Sequence, residues 1–95
     1  MAAKLYQAVA EQGHPEAQVI LGFMYAQGRG VPQDYKKAAE WYLKAVEQEY
    51  VVAFTCLGAL YFEGEGVTQN YQRAAQLFFK AAEQGAADAQ NFLGK

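Results

Sequence analysis

The sequence contains no serine, two threonines and a single cysteine, Cys56. One cysteine cannot form an intrachain disulfide, which excludes a small secreted fold held together by disulfides. His14 is the single histidine, and a structural zinc site needs roughly four Cys or His ligands. A catalytic nucleophile also needs a neighbouring base, and the sequence offers few such pairs. These shortages disfavour an enzyme or a metal centre, and we expect no cofactor.

Cations are also sparse and scattered, with eight Lys and Arg against ten Asp and Glu and a formal charge of -2. Binding to nucleic acid or to an anionic membrane surface requires clustered cations. No apolar run approaches the roughly 18 residues that a membrane span needs. The N-terminal residues AAKLYQAVAEQG have a helical pattern and not that of a signal peptide. We therefore expect no nucleic-acid partner and no membrane partner, and the sequence assigns no compartment.

The sequence repeats itself when it is shifted by 36 residues, as Gly28 and Gly64 illustrate. The matching positions carry the same small, apolar, aromatic or amide residue in both units. They are Ala17, Leu21, Gly22, Tyr25, Gly28, Gly30, Val31, Gln33 and Tyr35 in the first unit, and Ala53, Leu57, Gly58, Tyr61, Gly64, Gly66, Val67, Gln69 and Tyr71 in the second. A period of this length is typical of helical repeat proteins, in which neighbouring units bury a shared core.

Each unit predicts a pair of helices. In the first helix, apolar residues recur at spacings of three and four after Pro15, which makes one helical face. Pro15 suits the first helical position, and Gly28 suits the left-handed residue that ends a helix. Asp34 then has the acceptor side chain of an N-cap for the second helix, and Asn70 occupies the same place one unit later.

The chain is predicted to form an all-α solenoid of stacked antiparallel helix pairs in a right-handed superhelix. The pairs form one domain over residues 1–95, with helices at 2–12, 15–27, 34–48, 51–63, 70–84 and 87–94. The pattern starts with the second helix of a pair and closes with the first helix of another. We therefore expect the chain to be a fragment of a longer array.

The units resemble the Sel1-like repeat, a relative of the tetratricopeptide repeat. The resemblance rests on LGFMYAQGRGVPQDYKKAAEWYLKAVEQ and LGALYFEGEGVTQNYQRAAQLFFKAAEQG, and especially on their G-x-G-V element. It implies a non-catalytic scaffold or adaptor that brings other proteins together. Some cysteine-rich members of the family are associated with penicillin binding. This chain lacks their paired cysteines and any S-x-x-K motif, so the resemblance does not extend to that activity.

Other chemical interpretations of the sequence are weaker. The GRG and GEG segments lack the context of a phosphate-binding loop, since neither a GK[ST] ending nor a preceding strand is present. Cys56 falls at an apolar position, where a cysteine usually acts as a small hydrophobe. Glu63 and Glu65 flank Gly64, and a water-exposed loop explains this carboxylate pair better than a glycosidase site does. A hydrolase stays a remote alternative.

The candidate protein-binding surface is the side of the first helices that faces away from their shared core. Apolar residues there indicate an interaction site. The candidates are Val19, Phe23, Gln27, Val52, Thr55, Phe62 and Asn91. The alternative is that the aromatic residues pack between neighbouring units. A third hypothesis is that the repeats only act as structural spacers within a larger protein.

The segment EQEYVVAF, residues 47–54, departs from the repeat because Glu49 stands where the other units have glycine. A non-glycine residue in the left-handed region costs roughly 1 kcal/mol, so we expect a differently shaped turn or an extended helix. Tyr50, Val51 and Phe54 form a candidate contact patch, and local repacking in one unit is the alternative. The apolar ends of the array also predict self-association, which light scattering at high protein concentration would test.

Overall fold

The structure is a computed structural model. It describes the backbone of residues 2–93 and the side chains of residues 3–85. Five helices follow one another: α1 (Ala2–Glu11), α2 (Pro15–Gln27), α3 (Tyr35–Glu47), α4 (Val51–Glu63) and α5 (Tyr71–Leu93). The described residues contain no strand, and the predicted all-α solenoid of helix pairs is confirmed.

Each helix packs mainly on its neighbours in the sequence. The contacts run from α1 to α2, from α2 to α3, from α3 to α4 and from α4 to α5. The first helices α2 and α4 also contact each other, whereas in the described part of the chain the second helices α3 and α5 stay apart. The stack therefore bends toward α2 and α4, which places these two helices on its inner, concave side.

The helix ends follow the predicted signals. α2 begins at Pro15 and ends at Gly28, which lies in the left-handed region at φ 69°. α4 ends in the same way at Gly64, with φ 71°. The Asp34 carboxylate accepts a hydrogen bond from the Lys37 N–H at 3.1 Å, and the Asn70 side chain caps α5 in the same way at 3.0 Å. The bounds of α2 and α4 agree with the predicted 15–27 and 51–63.

Glutamine amides tie the loops and turns to the helices. Gln33 Nε2 donates to the Ala26 carbonyl at 2.8 Å, and Gln69 makes the equivalent bond to α4 at 2.9 Å. Gln48, at the end of α3, donates to the Gly13 carbonyl at 2.7 Å. The first two bonds hold each Gly-x-Gly loop against the helix it leaves, and the third joins one unit to the turn before it.

The prediction of two separate helices at 70–84 and 87–94 differs from the structure, in which α5 runs unbroken from Tyr71 to Leu93. Gly85 keeps a negative φ, whereas Gly13 at the equivalent place lies at φ 97°. After Gly13 the chain reaches Pro15, which cannot continue a helix. After Gly85 it reaches alanines, which have the highest helix propensity, so nothing local forces a break.

The expectation for Glu49 was wrong. Glu49 adopts φ 63°, the single positive φ of a non-glycine residue in the described chain. Its N–H donates to the Val46 carbonyl at 2.8 Å, just as Gly13 donates to Ala10 at 2.9 Å. The turn therefore keeps the hydrogen-bond pattern of its glycine counterpart, and the Glu49 backbone takes up the strain.

Replacing Glu49 with glycine is expected to stabilise the fold by about 1 kcal/mol, because glycine adopts a left-handed φ without steric strain. Urea denaturation followed by circular dichroism would show a higher midpoint. Glu40→Gly is a matched control, since Glu40 is exposed within α3 and the change should destabilise the fold by about 1 kcal/mol. A Glu49→Gly midpoint at or below that of the unmodified chain would contradict the strain argument.

Candidate protein-binding surface

An exposed stripe runs along the inner side of each first helix. On α2 it consists of Glu16, Phe23 and Gln27, and on α4 of Val52, Ala59 and Glu63, all of them exposed. The spacings of 7 and 4 residues place each set on one helical face. These six residues, called the inner face below, occupy equivalent positions in the two repeats.

Three predicted surface residues on the first helices α2 and α4 have half-exposed apolar side chains, and two of them belong to the inner face. Phe23 and Val52 are each 49% exposed, and both belong to the inner face. Gln27 and Thr55 are also exposed. Phe62 is 49% exposed as well, but its ring packs edge-on against Tyr71, with centroids 5.3 Å apart.

Thr55 and Phe62 lie beside the inner face and not on it. They occupy the places that Val19 and Ala26 hold one repeat earlier. Val19 and Ala26 are buried in the cluster that contains Leu57 of α4. By repeat symmetry, Thr55 and Phe62 lie on the flank of α4 where a following first helix would pack.

Two of the predicted surface positions are buried, and their placement on an exposed surface was wrong. Val19 is only 9% exposed and Phe54 only 4%, because both contribute to the core between the two repeats. Tyr50 is half-buried and packs against the same core, and Val51 is also half-buried. The surroundings of Tyr50 and Phe54 therefore favour the local-repacking alternative for residues 47–54. Asn91 lies outside the residues whose side chains the structure describes.

The charges of the array are divided between the two layers of helices. The charged residues of α2 and α4 are the two inner-face carboxylates, Glu16 and Glu63. The second helices α3 and α5 carry the Lys and Arg side chains of these two units, except for Arg29 in the loop after α2. The inner layer is therefore acidic and apolar, whereas the outer layer carries both signs.

Cations of the outer layer cover aromatic rings of the first helices. The Lys37 ammonium lies 5.6 Å from the centre of the Tyr25 ring, and the Arg73 guanidinium lies 5.7 Å from that of Tyr61. The two pairs are equivalent positions of the two repeats. A cation at this distance from a ring centroid is attracted to the π face. These pairs were not predicted from the sequence, although the recurrence of a cation at positions 37 and 73 was a signal for them.

The described residues offer no assembled chemistry for catalysis. Cys56 lies on α4 against the core, and burial raises the pKa of its thiol. A protonated, partly buried thiol is a poor nucleophile. His14 lies before the first residue of α2, on another part of the array. Within the described residues, no group of three metal-ligating side chains comes together.

The two carboxylates beside Gly64, Glu63 and Glu65, lie in different environments. Glu63 is exposed at the end of α4, whereas Glu65 lies beside the Tyr35 phenol. The pKa of Tyr35 is raised mainly by loss of solvent and secondly by this neighbouring carboxylate. Glu65 therefore serves to dock the loop onto α3, and the pair does not face a common cleft as glycosidase chemistry requires.

A second apolar surface lies at the α1 end of the stack. It is a groove of about 690 Å³ lined mainly by apolar residues of α1 and α2, including Leu5, Val9 and Ile20, and its lining also contains His14 and Glu16. Leu5 is 67% exposed. One repeat later the equivalent residue is Trp41 of α3, which packs against the cluster that contains Ala17 and Leu21 of α2, the first helix of its own pair. Inside the array, this face is thus covered by the first helix of the same pair.

Comparisons with known proteins support the repeat interpretation. The sequence model described as the Sel1 repeat matches residues 1–14, 15–50 and 57–85. A search of curated protein sequences found no match. Within residues 2–93, no helix is long and apolar enough to cross a membrane.

Solved structures show the same fold over most of the chain. The c5321 protein, a protective antigen of uropathogenic Escherichia coli with an SLR fold, is 42% identical over 84% of this chain and 17% of its own, with a TM-score of 0.82. A Sel1 repeat protein from Oxalobacter formigenes is 38% identical over 86% of this chain and 63% of its own, with a TM-score of 0.84. Cysteine rich protein B of Helicobacter pylori is 31% identical over 98% of this chain and 72% of its own, with a TM-score of 0.81. The chain thus spans less than two thirds of the first two relatives.

Proposed function

Because the chain belongs to the Sel1 repeat family, whose members generally mediate protein interactions, we propose that it is a non-catalytic scaffold that holds a peptide or protein segment on its inner face. The observation that carries the proposal is the pair of half-exposed apolar side chains, Phe23 and Val52, on the concave side. An exposed aromatic side chain within a polar rim is a typical binding anchor. Gln27 and the two inner-face glutamates supply such a rim.

A random library of displayed 12-residue peptides would test this proposal. Peptides selected on the unmodified chain are expected to bind at least about tenfold more weakly to a Phe23→Gln, Val52→Gln variant, because loss of a binding anchor has an effect of this size. Glutamine is chosen because it removes the apolar contact, keeps helix propensity and adds no charge.

Leu43→Gln is the matched control for this experiment. Leu43 is 43% exposed, a value close to that of Phe23, but it lies on the outer helix α3. The control variant should bind the selected peptides as the unmodified chain does, and circular dichroism should show equal helicity for all three proteins. Equal loss in both variants would show that the inner face is not the site. Failure to select any binding peptide would favour the structural-spacer alternative.

We also propose that the chain self-associates through its apolar ends. The groove at α1 supports this proposal, because its equivalent one repeat later is covered by a first helix, α2. The occupant would be a second copy of the chain, whose flank around Phe62 is the complementary face of the stack. Light scattering should show a mass that rises with protein concentration, and a monomeric mass at high concentration would contradict the proposal.

A further inference from the structure

We propose that the inner face selects segments whose apolar residues are flanked by Lys or Arg, and that it rejects acidic segments. The inference rests on the proposed function, since it assumes that the inner face is the binding site. It adds the chemical class of the partner, which follows from how charge and apolar surface are distributed over the two helices.

The inner face has an apolar middle and a carboxylate at two opposite corners. α2 and α4 are equivalent helices of successive units and run in the same direction. Glu16 therefore lies at the edge where both helices begin, beside Val52. Glu63 lies at the edge where both helices end, beside Gln27. A segment that crosses the apolar middle from one edge toward the other passes a carboxylate at each end of its path.

The helix ends reinforce the negative charge at one of these edges. The carboxyl end of a helix carries a partial negative charge and favours a nearby cation. α2 and α4 both end at the edge that contains Glu63. At the other edge, Glu16 lies in the first turn of α2, where its negative charge offsets the positive end of the helix. α4 has no acidic residue in its first turn, so the edge that contains Glu63 presents the stronger attraction for a cation.

Most cations of the two repeats lie in the outer layer, and they offset the negative charge of the inner face only partly. Lys37 and Arg73 stand over tyrosine rings at 5.6 Å and 5.7 Å, and Lys44 and Lys80 lie over the rings of Trp41 and Phe54 at 6.0 Å and 5.8 Å. Arg29 is the nearest opposing charge in sequence, in the loop after α2. Its counterpart in the next repeat is Glu65, so the loops contribute one charge of each sign.

The same peptide library tests the partner class, because the composition of the selected peptides reports it without any assumption about their sequence. Peptides selected on the unmodified chain at about 50 mM salt should be enriched in Lys and Arg beside apolar residues and depleted in Asp and Glu. Individual selected peptides should lose about 2- to 5-fold in affinity for each of Glu16→Gln and Glu63→Gln, the range typical of exposed ion pairs. The preference should also weaken at 500 mM salt, because salt screens exposed charges.

Glu40→Gln serves as the matched control, since Glu40 is an exposed carboxylate on the outer helix α3 and its removal changes the net charge by the same amount. It should leave the affinities unchanged. Selected peptides that depend on Phe23 but show no cationic enrichment would overturn the partner class and leave the proposed function intact. Cationic enrichment that persists in the Glu16→Gln, Glu63→Gln double variant would also overturn it. Failure to select any peptide would overturn both.

Discussion

Replacing Gly66 with alanine is expected to destabilise the fold by about 2–5 kcal/mol. Gly66 has φ 78°, and an alanine in the left-handed region is strained by about 1–2 kcal/mol. An added Cβ would also collide with the Tyr35 carbonyl and would lie 2.8 Å from the Tyr35 Cβ. These are main-chain and first side-chain atoms at the start of α3, which cannot rotate away, and forced overpacking typically costs about 1–3 kcal/mol more.

Gly30→Ala separates the strain from the collision. Gly30 holds the same loop position one repeat earlier and has the same φ of 78°. Its added Cβ would meet the end of the Met24 side chain at 3.3 Å and Ala3 at 3.8 Å, and a methionine end moves easily. Gly30→Ala should therefore destabilise the fold by only about 1–2 kcal/mol. Urea denaturation of the two variants measures the difference, and equal losses would show that the second loop is not docked onto Tyr35.

Replacing glycine with alanine is expected to lower the free energy of unfolding at Gly22 and to raise it at Gly85. Alanine is preferred over glycine inside a helix by about 1 kcal/mol. At Gly22 an added Cβ would lie 2.7 Å from the Tyr42 ring, and Tyr42 is itself buried at 3% exposure. The overpacking should outweigh the helix preference, so that Gly22→Ala lowers the free energy of unfolding by about 1–2 kcal/mol.

At Gly85 an added Cβ meets nothing within 4 Å, and the residue lies inside α5. Gly85→Ala should therefore raise the free energy of unfolding by about 1 kcal/mol. The sign also tests the continuity of α5. At Gly13, where the chain does break between two helices, φ is 97°. If the chain broke in the same way at Gly85, alanine would be strained there and the substitution would destabilise the fold. Thermal denaturation monitored by circular dichroism is sufficient to read the sign.

The sequence predicted best those parts of the fold where a local signal agrees with the packing. Pro15 and Gly28 indicate the two ends of α2, and the observed bounds of α2 and α4 agree with the prediction. Asp34 and Asn70 were predicted to cap the second helices, and both caps are observed. At Gly85 the local signal is neutral, since glycine can either end a helix or lie within one. The repeat register predicted a break at Gly85, and the backbone continues instead.

Two other differences between the prediction and the structure come from contacts between helices, which the pattern of a single helix does not reveal. The helical pattern of α2 taken alone places Val19 on its outward side, but α4 of the next unit buries it. At Glu49 the predicted turn depended on the residue's own preference, whereas packing of α4 back onto α3 requires the left-handed backbone there. The roles of Gln33, Gln48 and Gln69 were not predicted from the sequence either. Their recurrence across the units was visible, but their acceptors are main-chain carbonyls, which leave no mark in a sequence.

The glutamine hydrogen bonds and the core of this array respond differently to pH. Gln33, Gln48 and Gln69 connect to main-chain carbonyls, and neither partner in these bonds titrates, so acid leaves them intact. The alkaline side is different, because burial raises the pKa of both Tyr42 and Cys56. From about pH 9, the ordinary value of the cysteine, the unfolded chain loses protons that the folded chain retains, and folding stability falls as the pH rises. Alkali therefore weakens this solenoid through its core, whereas acid leaves these three glutamine bonds intact.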